Sequence, residues 1–174
     1  MCLRKPEKII AVAGKSSEVI SAILVKALKA CDREDNINVA WGGINEIIDA
    51  SGDVDISLLV ALDFDEEITS EFSQSIKEIV VPYSEACAYK KIAPVNCTVL
   101  QYAVEENMAD IVAKNVVKTD THTSFELLAV GRIGRIKFIE DKDTTVQNML
   151  AAAGVMLAAD IDFDSVIMSL NNRA

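Results

Sequence analysis

The sequence predicts an α/β fold: a mainly parallel sheet flanked by helices, with a small antiparallel three-stranded subsheet. Short, continuously apolar runs recur at Ile9–Ala13, Ile37–Trp41, Ile56–Leu62 and Ile79–Val81, with a weaker one at Cys97–Tyr102. Helical patterns lie between them, and that alternation demands βαβ crossovers and a sheet covered on both faces. After about Asn107 the rhythm changes. Three β-rich runs follow with links too short for a crossover helix, which predicts an antiparallel meander.

The first strand, Ile9–Ala13, stops at Gly14. A helix follows in which Ile20, Ile23, Leu24, Ala27, Leu28 and Cys31 form one apolar stripe at helical spacing. The second strand, Ile37–Trp41, runs into Gly42–Gly43, which permits a tight turn or a close ligand approach. Ile68, Phe72 and Ile76 mark a shorter helical stripe between the third and fourth strands. The meander strands are Ile111–Val117, Ser124–Val130 and Arg135–Glu140. In the last of these, basic and apolar residues alternate with period two. Two helices close the chain. Val146, Met149, Leu150, Ala153 and Leu157 mark the first. Phe163, Val166, Ile167 and Leu170 mark the second, with Asp162 as its cap.

The 174 residues suffice for one domain, 1–174, with a real core. Hydrophobic residues make up 51% and aromatics only 5%, so that core is aliphatic. The net charge of −10 sets up a field that repels phosphate backbones and anionic lipid, which argues against nucleic-acid and membrane partners. No apolar run approaches the roughly 20 residues of a membrane span. The opening residues MCLRKPEK lack the apolar segment of a secretory signal. Cys2, Cys31, Cys87 and Cys97 form no C-x-x-C pair, the expectation being reduced, mostly buried thiols in a cytoplasmic protein.

The chemistry-bearing stretch is Ile9 to Leu28. Strand, Gly14-Lys15-Ser16-Ser17, helix is the order of a nucleoside-triphosphate phosphate loop. A working loop reads G-x-x-x-x-G-K-[ST], because consecutive backbone N–H groups must wrap a phosphate. The first glycine would fall at Ile9, inside the strand. Gly14–Ser17 is then either a residual anion site at a helix N-terminus or a plain helix start with Ser16 or Ser17 as N-cap. Glu18 favours the second. Asp63 and Asp65, just past the third strand, stand where a metal carboxylate would, since ligands bind outside the carboxyl ends of parallel strands. Acidic residues in the first turn of a helix explain them equally. The lone histidine, His122, reads as a solvated loop residue, and no catalytic residue is assigned.

The second half of the chain resembles the central domain of the Mur ligase family, ATP-dependent amide-forming ligases of cell-wall synthesis, and the resemblance extends over most of the chain. Asp143–Leu170 is similar to the family's segment with two asparagines, an alanine-rich helix and a closing helix. Asn148 and Ala151–Ala153 match. Thr145 replaces the first asparagine and Asp160 a glycine. Ala109-Asp110-Ile111 with Asn115-Val116 resembles the family's "A-D-(I/Y)-x-A-x-N-(V/I)" strand. Ile9–Ser17, Ile37–Ile44 and Leu58–Glu66 would be its phosphate-loop strand, second strand and metal-carboxylate strand.

The resemblance implies nucleotide contacts at Gly14, Lys15, Ser16, Ser17 and Asn148, and Mg²⁺ at Asp63 and Asp65. The loop body and the family's aspartate–histidine segment have no counterpart, and Asn171–Ala174 fall about where the hinge to a C-terminal domain would begin. The expectation is therefore a degenerate Mur-ligase-like central domain, a binding or scaffolding module with a protein partner or in a homo-oligomer, needing no cofactor. The alternatives are an ATP- and Mg²⁺-dependent ligase component completed by a partner chain, and a small-anion binder at the Gly14–Ser17 helix start.

Overall fold

The computed structural model describes residues 8–14, 16–43, 46–47, 58–61, 76–140 and 144–171. Its strands are β1 (Lys8–Ala13), β2 (Ile37–Gly42), β3 (Leu58–Ala61), β4 (Glu78–Pro82), β5 (Thr98–Val104), β6 (Ile111–Lys118), β7 (Thr123–Ala129) and β8 (Arg132–Phe138). Its helices, numbered among the described residues, are α1 (Ser17–Ala30), α2 (Ala86–Ile92), α3 (Val146–Ala158) and α4 (Phe163–Asn171). The strands form one eight-stranded sheet in the order β2-β1-β3-β4-β5-β6-β7-β8. Pairing is parallel from β2 to β6 and antiparallel from β6 to β8.

Period-two alternation divides β1 and β4 between two cores. Ile10, Val12 and Val80 face the large core under α1, α3 and α4. Ala11, Ala13, Ile79 and Val81 face a smaller one with Ile47, Ile76 and Tyr89 of α2. The apolar stripe of α1 is buried as its spacing requires, with Ile20, Ile23, Leu24 and Ala27 at 0% exposure. The stripe expected around Ile68–Phe72 lies outside the described residues, except Ile76, which is buried.

The antiparallel three-stranded meander follows the sequence reading and continues the parallel sheet. β6 joins the parallel part directly, Tyr102 pairing with Ile111 and Val104 with Ala113. A connection as short as 105–110 can link parallel strands because β6 starts level with Tyr102, so the chain drops back only slightly. Glu105 takes a positive φ of 62° there, its N–H donates to Ala113 O at 2.9 Å, and Asp110 accepts from Gln101 N–H at 2.9 Å. The short α2, which no stripe in the sequence marks, is anchored by Ala86 and Tyr89. One expectation is corrected: the thiols are not mostly buried, since Cys87 is exposed and Cys31 and Cys97 are half-buried.

The closing helices follow the sequence reading. Asp162 caps α4, its carboxylate accepting from Ser165 N–H at 3.0 Å. Gly154 of α3 sits so close to the sheet that a Cβ there would lie 2.8 Å from Ile111 Cδ1 and 3.0 Å from Val80 Cγ1. Gly154→Val is accordingly expected to destabilise the chain by about 1–3 kcal/mol through overpacking, read as a lowered midpoint in thermal or denaturant unfolding.

Candidate functional site

The sheet order places β2 on one side of β1 and β3 on the other, so the chain reverses direction across the sheet between β1 and β3. Ligands of open parallel sheets bind at such a reversal, outside the carboxyl ends of the strands. Ala13, the last residue of β1, is paired with both Gly42 and Ala61, so the chain leaves β1, β2 and β3 at one level. Gly14 therefore stands at the middle of this edge.

Only Gly14, Lys15 and Ser16 separate β1 from α1. Gly14 adopts φ 106°, a conformation that L side chains rarely take. It allows the strand to turn straight into the helix. Ser17 N–H donates back to Gly14 O at 3.0 Å, and Ile20 N–H donates to Ser16 O at 3.0 Å. Ser16 occupies the N-cap position, but its hydroxyl makes no capping bond, and Ser17 is only 8% exposed within the first turn. A hydroxyl cap, one of the two sequence readings, is thus absent; the turn is held by backbone bonds instead. Ile9, where a phosphate loop would need its first glycine, is paired with Asn38 inside the ladder. Lys15, Asp63 and Asp65 lie outside the described residues.

Asn148 comes to the same edge. α3 packs beside α1, and its first turn lies beside the carboxyl ends of β5 and β6. Thr145 is the N-cap, its hydroxyl accepting from Asn148 N–H at 3.3 Å. Asn148 is 8% exposed, one turn in from the surface. Sequence reasoning missed the hollow beside the first turn of α3, which Thr145, Val146 and Gln147 line and Asn148 does not. A cavity of about 520 Å³ is lined by Val104, Glu105, Val116, Lys118, Glu140 and Thr145.

The charges of this cavity are already matched. Glu140 accepts from Lys118 Nζ at 2.7 Å and from the buried Thr123 hydroxyl at 2.6 Å. The Lys118 and Thr123 hydrogen bonds, in that order, hold its carboxyl below the ordinary value. Lys114 Nζ donates to Glu105 O at 2.7 Å and lies 3.3 Å from the Glu105 carboxylate. The sequence signal was faint: Lys118 and Glu140 merely close two strand runs, and only the meander register sets them on either side of Thr123.

The remaining reactive side chains are elsewhere. His122 sits in the tight turn between β6 and β7, its Nδ1 3.0 Å from the hydroxyls of both Thr119 and Thr121. Burial, with Glu78 adding, pushes the Cys97 thiol up to about 11, which leaves it a poor nucleophile. No group of acidic, histidine or cysteine side chains suited to a metal occurs among the described residues. No helix among them is long and apolar enough to cross a membrane.

An open, mainly parallel sheet covered by helices and ending in an antiparallel meander defines a class of α/β folds. Within that class the fold is that of the Mur ligases. A UDP-N-acetylmuramoyl-L-alanyl-D-glutamate–2,6-diaminopimelate ligase superposes with a TM-score of 0.76 at 15% identity, covering 97% of this chain and 46% of the ligase. A pseudomurein peptide ligase type C from Methanothermus fervidus gives 0.71 at 14% identity, covering 99% of this chain and 50% of that one. MurF ligase from Thermotoga maritima, in complex with ADP, gives 0.70 at 14% identity, with 95% and 48% covered. The chain thus spans about half the length of the ligases it matches. No protein-family model matches the sequence, and no curated protein matches it in sequence.

The Glu140 arrangement sets a pH expectation. Its folded pKa lies below the unfolded one, so its contribution is full above the ordinary value of 4.5 and lost as pH falls through the lower folded value. Glu140→Gln should flatten that acid limb of the stability curve and lower stability near neutrality, where the carboxylate contribution is otherwise full, measured as unfolding midpoints at stepped pH.

Proposed function

We propose that this chain is a Mur-ligase-like binding or scaffolding module with a shortened phosphate site, not a competent ligase by itself, acting in the cytoplasm with a protein partner or a second copy. One observation carries the reading. The turn from β1 to α1 closes on itself through the Ser17 N–H to Gly14 O bond, with no loop body to wrap a phosphate. Acyl-phosphate chemistry of the kind the family resemblance implies depends on loop, lysine and metal to neutralise the transferred phosphoryl group. Losing the loop removes backbone donors that no side chain on the described edge replaces. Lys118 and Lys114 are occupied by Glu140 and Glu105, and the net charge of −10 opposes an incoming polyanion.

The cavity at Thr145 favours a second reading, a nucleotide-dependent ligase component completed by another chain. β1 and β5 stand three strands apart in the sheet order, roughly 14 Å at ordinary strand spacing. An extended nucleotide would place its base in front of Asn148 and its phosphates at Gly14, with Asp63 or Asp65 holding Mg²⁺. The ADP-bound MurF of Thermotoga maritima shares this fold. A third reading, a small-anion binder at Gly14–Ser17, uses only the helix start.

Calorimetric titration with ATP, with and without Mg²⁺, separates these. The expectation is no hydrolysis and no dissociation constant tighter than about millimolar, roughly −4 kcal/mol. A micromolar constant for Mg·ATP that Lys15→Ala abolishes would overturn the proposal and establish the ligase-component reading. Inorganic phosphate binding as well as ATP would favour the anion binder.

A further inference from the structure

The two edges of the sheet are finished differently. β8 is closed by a side chain of α4. Asn171 Nδ2 donates to Arg135 O at 2.9 Å, and Asn171 Oδ1 accepts from Lys137 N–H at 2.8 Å. One amide thus fills an outward acceptor and an outward donor as a neighbouring strand would. Arg132, Arg135 and Lys137 add like charges along the same strand. Covering and charging an edge are the ordinary ways to prevent strand addition. Among the described residues, β2 at the opposite edge has neither. Its sequence Ile-Asn-Val-Ala-Trp-Gly carries no charge and no proline, and no strand among the described residues pairs with its outer side. Trp41, the single tryptophan of the chain, stands on it 58% exposed.

We propose that β2 is a self-pairing edge, at which two copies of this chain join antiparallel, β2 to β2, into one continuous sheet. Antiparallel copies of one strand are related by a two-fold axis, so the contact closes at a dimer rather than growing into a fibre. The side-chain pattern fixes the register. Ile37 and Val39 pack into the core beneath α1. Trp41 follows at period two and is paired with Val12 of the same face.

An axis through Val39 sets Ile37 opposite Trp41 of the second copy, and Val39 opposite its own counterpart. These are apolar, aromatic-to-β-branched pairs. Asn38 then meets Ala40 of the second copy on the other face. A slip of one residue would put apolar positions against the opposite face, which forbids it.

α1 packs against β1 and β2, so the axis brings two α1 helices side by side and antiparallel. The apolar row is complementary to itself about that axis, Ile37 meeting Trp41 twice, which selects a second copy over an unrelated strand. The pairing rests on the second-copy form of the proposed function but needs no nucleotide, so its failure leaves the shortened-phosphate-site reading standing and the two failures are distinguishable.

The lone tryptophan makes the test direct. The full chain is followed by sedimentation equilibrium and by tryptophan emission from roughly micromolar to submillimolar concentration. The expected result is a monomer–dimer transition in which Trp41 emission shifts to the blue as it leaves water. Trp41→Lys should weaken the dimer by roughly thirtyfold, the loss typical of a removed tryptophan anchor, with an unchanged thermal midpoint because the side chain is exposed in the monomer. Asn38→Lys, on the opposite face of the same strand, should weaken it too while keeping the tryptophan signal. A chain that stays monomeric throughout, a dimer whose Trp41 emission does not move, or dimerisation unaffected by both substitutions would overturn the proposal.

Discussion

The close approach of α3 to the middle of the sheet is the constraint on which the rest of the structure depends. From Met149 to Met156 its side chains are at 0% exposure wherever they are not glycine. It packs on strands from β3 to β7 and on both neighbouring helices. Such coverage by one helix needs small residues where the backbones meet, and Ala151–Ala153 with Gly154 supply them. The small residues contribute little transfer free energy of their own. They let Met149, Leu150, Val155 and Met156 bury large apolar surfaces against Ile111, Phe125, Leu127 and Val80. The meander stays fused to the parallel strands because α3 spans the join between them.

Seen from that helix, the residues behind the Mur ligase resemblance have structural duties here. Thr145 caps α3 in place of an asparagine, through its hydroxyl. Asp160 adopts φ 61° just past the end of α3, with Ile161 N–H bonded to Met156 O at 3.0 Å. That left-handed position is why a glycine is natural there. Asp32 ends α1 in the same way, at φ 54°. Asp110 fastens the β5–β6 link to Gln101 N–H. Asn115 sits at the irregularity in β6 with φ 51°, its amide donating to Glu126 at 2.7 Å. Each of these residue types answers to backbone geometry, so the pattern can persist in a chain whatever becomes of the phosphate site.

Strand–helix alternation and period-two runs made the layered fold legible, down to the meander and the Asp162 cap. They failed where information is not periodic. α2 is too short for a stripe. The β5–β6 link is parallel because of stagger, which no local pattern encodes. Half-exposure of the cysteines depends on which helices cover them. For the candidate site, the truncated order at Gly14 was readable because a missing glycine is a matter of spacing. The cavity at Thr145 was not, because Glu105, Lys118, Glu140 and Thr145 come from four separate places in the chain and meet only through sheet register.

Fold and chemistry separate cleanly along the carboxyl edge. Burial under α3 and the ladders of β1 hold Ala13, Gly42 and Ala61 at one level, which is all that the architecture requires. Phosphate chemistry asks for more: free backbone donors and an unneutralised cation at the same point. At the start of α1, Ser17 N–H is turned back on Gly14 O. At Thr145 the cavity's cation, Lys118, is held by Glu140 at 2.7 Å. Under the proposed reading each of those bonds stabilises the folded chain and lowers the local affinity for an anion, so that stability and phosphate binding compete for the same few polar groups.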